Sequence, residues 1–339
     1  MRAAVVEAMG RPPAPTEVPE PRRRPGEALV RIGAAALNPV ELHIWNGHFF
    51  DGPPRPPYVI GLEGVGVVEE GERLAPGTRV RVEFVHPGYG RDGAVAEYAV
   101  APEEPDASDR ASQASVAPIG DQLDDTAAAA LGVPVFTALM CLERAEEAGA
   151  SLEGAHVLVI GATGAVGMVA VQLAKLMGAA RVVAAGRNGE RLKRALSLGA
   201  DAAVELGDGL APGELRDRFA EAAGGRLDVA LDPLWGRSAR AAIDAITREG
   251  VYVSFGQAAS PVAELSGIPL RNRRVTVVGH SGAWATPEDR RTALARAFEL
   301  AGRRGAALTL DTDEIALEQI GDAWEWLSRS AGRKLVVKP

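Results

Sequence analysis

The stretch Val157-Leu158-Val159-Ile160-Gly161-Ala162-Thr163-Gly164-Ala165-Val166-Gly167 constrains this 339-residue chain most, because an apolar strand there enters a glycine-rich turn and leaves as a helix. A backbone that turns tightly without β-carbons, with amides aimed outward at a helix N-terminus, suits a phosphate group. Strict G-x-G-x-x-G spacing would put glycine at Ala162, so the pattern is an A-x-G-x-x-G variant, and a tight structural turn is the competing reading. On the dinucleotide reading, Gly161, Thr163, Gly164, Ala165, Val166 and Gly167 face the cofactor.

NAD-preferring sites place a carboxylate on the ribose hydroxyls about 20 residues further on. Here that place reads Gly186-Arg187-Asn188-Gly189-Glu190-Arg191. A carboxylate would repel a 2′-phosphate, whereas a guanidinium binds two of its oxygens, so Arg187 argues for NADPH. Asn188 is a further candidate. Arg191 reads equally as a solvated helix residue, and Lys175, one helix length from the glycines, is a weaker phosphate candidate.

Around this motif the chain changes texture. Up to about residue 100 it reads as short β segments cut by Gly and Pro, at residues 28–32, 64–68, 79–82 and 94–100, which suggests a barrel-like all-β unit. Residues 101–117 read as a polar connection, and from Asp124 a long helical stretch runs toward Glu147. Strands at 156–160, 181–185, 227–232 and 250–255 alternate with helices, beginning with 166–177, as parallel βαβ units do. Thr286-Pro287-Glu288-Asp289 signals the start of a long helix. A last helix around Trp324 leads to a closing strand at 334–337, expected to return to the β-rich unit. The expected division is residues 1–120 with 286–339 against 121–285.

Lys+Arg 37 against Asp+Glu 45 gives a formal net charge of −8 with no charge blocks, which argues against nucleic acid and anionic membranes as partners. No apolar run reaches the ~18 residues that span a bilayer, and the first residues acquire Glu7 too early for a secretory leader, so a cytoplasmic location is expected. A single cysteine, Cys141, excludes intramolecular disulfides and multi-cysteine zinc sites; among apolar neighbours it reads as a buried helical thiol.

Several segments together resemble the medium-chain dehydrogenase/reductase superfamily. Residues 36–47, with Asn38-Pro39-Val40-Glu41, resemble its first active-site segment, and Gly61-Leu62-Glu63 its Gly-His-Glu segment. Residues 129–139 resemble the helix leading into the cofactor domain, and Ser254-Phe255-Gly256 the loop beside the nicotinamide. The resemblance implies a Rossmann-type doubly wound α/β domain with a GroES-like β-barrel catalytic domain. Zinc alcohol dehydrogenases of the superfamily carry a Cys ligand where this chain has Asn38 and a His ligand where it has Leu62. Amide and alkyl groups do not replace thiolate and imidazole, so no metal is expected, and the pattern is similar to the zinc-free quinone and enoyl reductases.

By that resemblance the chain reduces a conjugated small molecule, a quinone or α,β-unsaturated carbonyl, with hydride from NADPH. Arg187, Ser254, Phe255, Gly256 and the loop Gly279-His280-Ser281 then lie along the cofactor, Thr137 offers it a hydroxyl, and Lys334 approaches it. His43 falls where quinone reductases often carry a tyrosine, and an imidazole with an ordinary pKa of about 6.5 can donate a proton there; a hydrogen bond within its own loop is the alternative. His48 and Asn38 complete the expected catalytic group, with His86 and His280 as pocket candidates and His156 as structural. In similar folds Glu41 and Glu63 make internal hydrogen bonds or ion pairs. Trp45, Phe49, Tyr89, Trp235 and Trp284 can line a flat pocket or simply pack. Two other readings compete: a reductase of a tethered or biosynthetic intermediate such as an aromatic polyketide, and a cofactor-binding protein with little turnover. Relatives commonly pair through an edge strand, here residues 274–278, which makes a homodimer the expected assembly.

Overall fold

Consecutive apolar positions such as 157–160 and 182–185 leave a strand no face to give to water, so such strands must be covered on both sides. The computed structural model, which describes residues 1–48, 52–105, 113–207, 209–329 and 332–339, shows how. Strands His156–Ile160, Arg181–Gly186, Ala202–Glu205, Val229–Asp232, Val251–Ser254 and Thr276–Gly279 form one parallel sheet. Counted along the chain, their order across it is third-second-first-fourth-fifth-sixth, the doubly wound order. Helices Ala165–Leu176, Gly189–Ser197, Pro212–Ala222 and Arg237–Ala245 connect them. Leu158, Ile160, Val183, Phe219, Ile243 and Tyr252 lie in the core beneath.

Chain segments 134–285 and 290–308 make up this compact unit, and 1–133, 286–289 and 309–339 make up the other. The long helix Pro287–Arg303 starts where the capping residues predict: Thr286 Oγ1 accepts from the Asp289 amide at 3.1 Å, and Asp289 Oδ2 accepts from the Thr286 amide at 2.8 Å. From Arg290 onward, however, it belongs to the parallel-sheet unit, whereas the sequence had placed it with the β-rich one. Its buried Ala293, Ala297 and Ala301 recur at four-residue spacing, a stripe that needs covering. Arg296 also pairs with Glu143 at 2.5 Å on helix Gly132–Glu147. Cys141, on that helix, is fully buried, and burial pushes its thiol pKa far up.

The other unit is built on a seven-stranded sheet. Strand Glu27–Ala36 pairs antiparallel with Glu63–Glu70, with Tyr98–Pro102 and, at its end, with the C-terminal strand Lys334–Lys338. Arg79–Phe84, Ala114–Pro118 and Thr312–Ala316 complete it, and Arg2–Val6, Ala14–Glu17 and Tyr58–Val59 form a smaller sheet. The closing strand therefore returns to the β-rich unit, as expected from the order of elements along the chain. Differences from the sequence reading are local. Residues 101–117 contain strand backbone at both ends, the expected strand 94–100 is displaced to Tyr98–Pro102, and the long helical stretch breaks at Leu131 into Asp125–Ala130 and Gly132–Glu147. Asp125–Ala130 covers one face of the sheet, where Ala128, Ala129 and Ala130 meet Ala34, Ala36, Val65 and Val336.

The glycine turn shows how tightly the parallel sheet holds its first helix. A β-carbon at Gly167 would collide with the Gly161 carbonyl oxygen and stand 2.6 Å from Ala162 Cα. Gly167→Ala should therefore force helix and strand apart, costing roughly 1–3 kcal/mol as overpacking does. Urea unfolding of the two proteins checks this, and a variant as stable as the parent would show that the helix shifts freely.

Candidate functional site

At the carboxyl ends of the parallel strands, where doubly wound sheets bind ligands, the backbone is crowded. Gly161 adopts φ +69°, which favours glycine, and a β-carbon there would stand 2.7 Å from Pro233 Cγ. One at Gly256 would stand 2.6 Å from the Pro233 carbonyl oxygen. Gly164 caps the twelve-residue helix Ala165–Leu176 in extended conformation with no side-chain cap, so the helix presents its first-turn amides unclaimed by any capping group. Arg191 reaches from helix Gly189–Ser197 to the same turn, its Nε donating to the Thr163 carbonyl at 2.6 Å.

Arg187 is exposed directly after the second strand, while Asn188 is spent as a cap, accepting from the Arg191 amide at 3.1 Å. The structure does not bring Lys175 to this place. Helix Ala165–Leu176 runs back along the sheet, so Lys175 lies about 15 Å along the axis from its start, paired with Asp201 at 3.1 Å.

Ser254 ends the fifth strand opposite Gly279 of the sixth, and its carbonyl accepts from the His280 amide at 2.8 Å. Beyond Ser281 the loop passes Phe136 and Thr137, whose Oγ1 would stand 3.9 Å from a β-carbon at Gly282. Thr137 and the Gly279-His280-Ser281 loop are thus neighbours, as are Phe255 and Asp232, through the Phe255 amide and Asp232 carbonyl at 3.0 Å. Burial lowers the His280 imidazole pKa, helped by the nearby Arg144 charge. Asp232 itself is fully buried and accepts from the Tyr252 hydroxyl at 2.6 Å and the Leu234 amide at 2.6 Å.

In the β-rich unit a second constellation is closed to water. Glu63 Oε1 accepts from Lys334 Nζ at 2.9 Å and from Asn38 Nδ2 at 3.0 Å, while Oε2 accepts from the Val133 amide at 2.7 Å and meets Arg81 at 3.3 Å. Lys334 Nζ also donates to Asn38 Oδ1 at 2.5 Å. Arg81 reaches the Ala128 carbonyl, and Gly132 has no side chain because a β-carbon would overlap both Glu63 and Arg81. A buried ion pair survives only when its remaining donors and acceptors are satisfied, and here the backbone supplies what the side chains do not.

Glu41 lies beside this network on the short helix Val40–Trp45. Its Oε1 accepts from the Asn38 amide at 3.0 Å, and its Oε2 has no hydrogen-bond partner. Burial pushes its pKa up to about 8, against the pull of the Asn38 amide and the Lys334 charge.

Both units now have the architecture and the motifs of one lineage, and comparison agrees. The zinc-binding dehydrogenase family matches residues 165–299, and the alcohol dehydrogenase GroES-like domain matches residues 24–106. The chain belongs to the medium-chain dehydrogenase/reductase superfamily. An alcohol dehydrogenase of Geobacillus stearothermophilus is 34% identical over 60% of this chain and 63% of that protein. A quinone oxidoreductase of Lama guanicoe is 34% identical over 52% of this chain and 49% of that one, so neither alignment reaches two-thirds of the relative's length. The quinone oxidoreductase of Thermus thermophilus, solved also with NADPH, matches over 100% of both chains at 27% identity and a TM-score of 0.75.

Within this dehydrogenase/reductase several expected site residues are differently employed. Asn38 is buried with its carbonyl and both amide directions bonded, to Lys334, Glu63 and the Ala36 carbonyl, so it has no donor left for a substrate. Lys334, expected along the cofactor, is 3% exposed and committed to Asn38 and Glu63. His43 and His48 are exposed at the end of the short helix, joined by the His48 amide and His43 carbonyl at 2.9 Å. Desolvation lowers the His43 pKa, with His48 adding to the effect. Of the aromatic candidates, Trp45 packs edge-on against Trp324 at 6.0 Å, Tyr89 donates to the Gly52 carbonyl, Trp235 lies 6.0 Å from Tyr252, and Trp284 is exposed. Phe49 lies outside the described residues. Sequence reading passed over Arg81 because the Arg79-Val80-Arg81-Val82 alternation points it at an apparently solvent-facing side, which helix Asp125–Ala130 covers. Among the described residues no group of three or more His, Cys, Asp and Glu side chains could hold a metal ion.

Two measurements probe this network. Lys334→Met should cost roughly 3–5 kcal/mol by stranding a buried carboxylate, and adding Glu63→Gln should recover part of it, as urea unfolding of single and double variants will show. Glu41 adds a pH dependence. Its folded-state pKa near 8 lies above the unfolded value of about 4.3, so the stability it contributes is complete below that lower value and is lost as pH rises through 8. On the order of a few kcal/mol should disappear between pH 5 and pH 9. Glu41→Gln should flatten this fall, and an unchanged slope in the variant would assign the dependence elsewhere.

Proposed function

We propose that the protein is an NADPH-dependent reductase that transfers hydride to a conjugated acceptor, a quinone or an α,β-unsaturated carbonyl, without zinc. The observation that carries the reading is the buried contact of Lys334 Nζ with Asn38 Oδ1 at 2.5 Å. In zinc-dependent relatives the place of Asn38 belongs to a cysteine ligand, yet here Lys334 Nζ donates to that side chain's oxygen, and Leu62 stands in the histidine place. This donor set does not fit Zn²⁺, which binds thiolate, imidazole and carboxylate. An acceptor whose own conjugation takes up electrons needs no Lewis acid.

The residues of the parallel-sheet unit fit a dinucleotide phosphate. The uncapped N-terminus of helix Ala165–Leu176 would take the pyrophosphate, with Gly161, Thr163, Gly164, Ala165, Val166 and Gly167 close to it. Exposed Arg187 would hold the 2′-phosphate in bidentate fashion, steadied on its flank by the Arg191 anchor on Thr163. Ser254, Phe255, Gly256 and the Gly279-His280-Ser281 loop, beside Thr137, would border the nicotinamide end. When bound, NADPH supplies the hydride; the chain orients it and keeps water away. His43, with His48, remains a candidate donor to the acceptor. Edge strand Thr276–Gly279 is the surface we assign to pairing of two copies, and the cytoplasm is the compartment that an NADPH reductase of this composition suits.

Calorimetric titration with NADPH and NADH, followed by NADPH oxidation across quinones and enones, tests the reading. We expect an NADPH preference that falls roughly 10–100-fold in Arg187→Ala, the equivalent of a charged hydrogen bond. Turnover confined to simple alcohols with added zinc would overturn it.

A further inference from the structure

Between Asp232 and Ser238 the backbone makes a turn that its own residues do not favour. Trp235 and Gly236 take φ +61° and +65°, and a bulky side chain in that region strains the backbone, so the surroundings must hold it there. The holder is the fully buried carboxylate of Asp232, the last residue of strand Val229–Asp232. Its Oδ1 accepts from the Leu234 amide at 2.6 Å and the Trp235 amide at 3.3 Å, and its Oδ2 accepts from the Tyr252 hydroxyl at 2.6 Å. Ser238 Oγ closes the turn, standing 3.3 Å from Oδ2 and 2.9 Å from the Trp235 carbonyl. Burial raises the Asp232 pKa, and these four donors oppose the rise.

This turn supports the segment that follows strand Val251–Ser254. Residues 255–266 form neither helix nor strand, so their backbone amides need partners elsewhere. The Phe255 amide donates to the Asp232 carbonyl at 3.0 Å, the Ala258 amide to the Pro233 carbonyl at 3.0 Å and the Ala259 amide to the Leu234 carbonyl at 2.9 Å. Gly256 closes on the same Pro233, whose carbonyl oxygen leaves no room for a β-carbon. The glycine turn also touches Pro233 at Gly161, but it has ties of its own. The Ala162 amide donates to the Ala185 carbonyl and the Gly164 amide to the Gly161 carbonyl, both at 2.9 Å. Loss of the Asp232 anchor therefore frees the 255–260 segment and leaves the glycine turn in place.

We propose that Asp232, with Tyr252 and Ser238, is a positioning group for the nicotinamide half of the dinucleotide. It sets the 255–260 segment through the strained turn, while the phosphate half is left to the glycine turn and Arg187. The proposal rests on the NADPH reading above. Asp232 is enclosed beneath the turn and acts through the backbone it holds, so its removal changes where the 255–260 segment stands and not which groups meet the phosphates. A site of this kind gains affinity from being set in advance, because a segment that must be ordered on binding weakens the ligand by the cost of ordering it.

Calorimetric titration of the full chain with two ligands tests this: NADPH, and adenosine 2′,5′-bisphosphate, which offers the 2′-phosphate end without a nicotinamide. Tyr252→Phe should weaken NADPH binding roughly 3–10-fold, the contribution of one hydrogen bond. Asp232→Leu should weaken it on the order of 10–100-fold by releasing both turn amides. Affinity for the bisphosphate should stay at the parental value in each. Asp232→Asn, which keeps an acceptor for those amides, should restore most of the NADPH affinity that Asp232→Leu loses. If Asp232→Leu fails to fold, Tyr252→Phe and Ser238→Ala decide by the same comparison. Folded variants that lose affinity for both ligands alike, or for neither whatever their stability in urea, would overturn the positioning role and leave the reductase reading standing. A parent that binds neither ligand would remove the NADPH reading and the proposal with it.

Discussion

The carboxylate of Glu63 is the point on which the β-rich unit turns. It lies fully buried at the start of one strand and takes hydrogen bonds or charge from Asn38, Arg81, Val133 and Lys334, which come from four separate parts of the chain. Removing a carboxylate from water is costly, and only a complete set of partners offsets it. Each partner is therefore constrained in place as well as in type. Gly132 has no room for a side chain, Asn38 has no rotamer freedom to spare, and the strand bearing Lys334 must register against Glu27–Ala36.

The parallel-sheet unit reaches its order by the opposite means. Its core is apolar, and its chemistry is carried by backbone: an uncapped helix N-terminus, glycines that let strand and helix close on each other, and a proline edge shared by Gly161 and Gly256. A site made of amides needs little of any side chain, which explains how the turn tolerates alanine at position 162. A guanidinium at 187 then selects among ligands that the turn itself would treat alike.

The sequence made the second unit legible and left much of the first obscure. Strands 156–160 and 181–185 could be read because uninterrupted apolar runs followed by a glycine turn have few other uses. Ala202–Glu205 escaped because only one of its four residues is fully buried, which leaves no periodic signal. Residues 79–82 were read correctly as a strand, but whether the side bearing Arg81 meets water depends on a helix more than forty residues later. Asn38 and Lys334 were recognised as site residues without the contact between them, since no local pattern announces a pairing across 296 positions. Lys175 was misplaced for a geometric reason: helix length in sequence is distance along an axis, here directed away from the turn.

The partnership of Glu63 with Lys334 spans 271 residues. Glu63 meets Arg81 early, but at the usual pace of synthesis, about 5–20 residues per second, an emerging chain carries Glu63 and Asn38 for on the order of tens of seconds before their second cation, Lys334, is made. Most of the parallel-sheet unit leaves the ribosome in that interval and has its glycine turn and first four strands in hand. The β-rich unit, begun first, is therefore completed last, its central carboxylate holding Arg81 but still lacking Lys334 until the final strand is made.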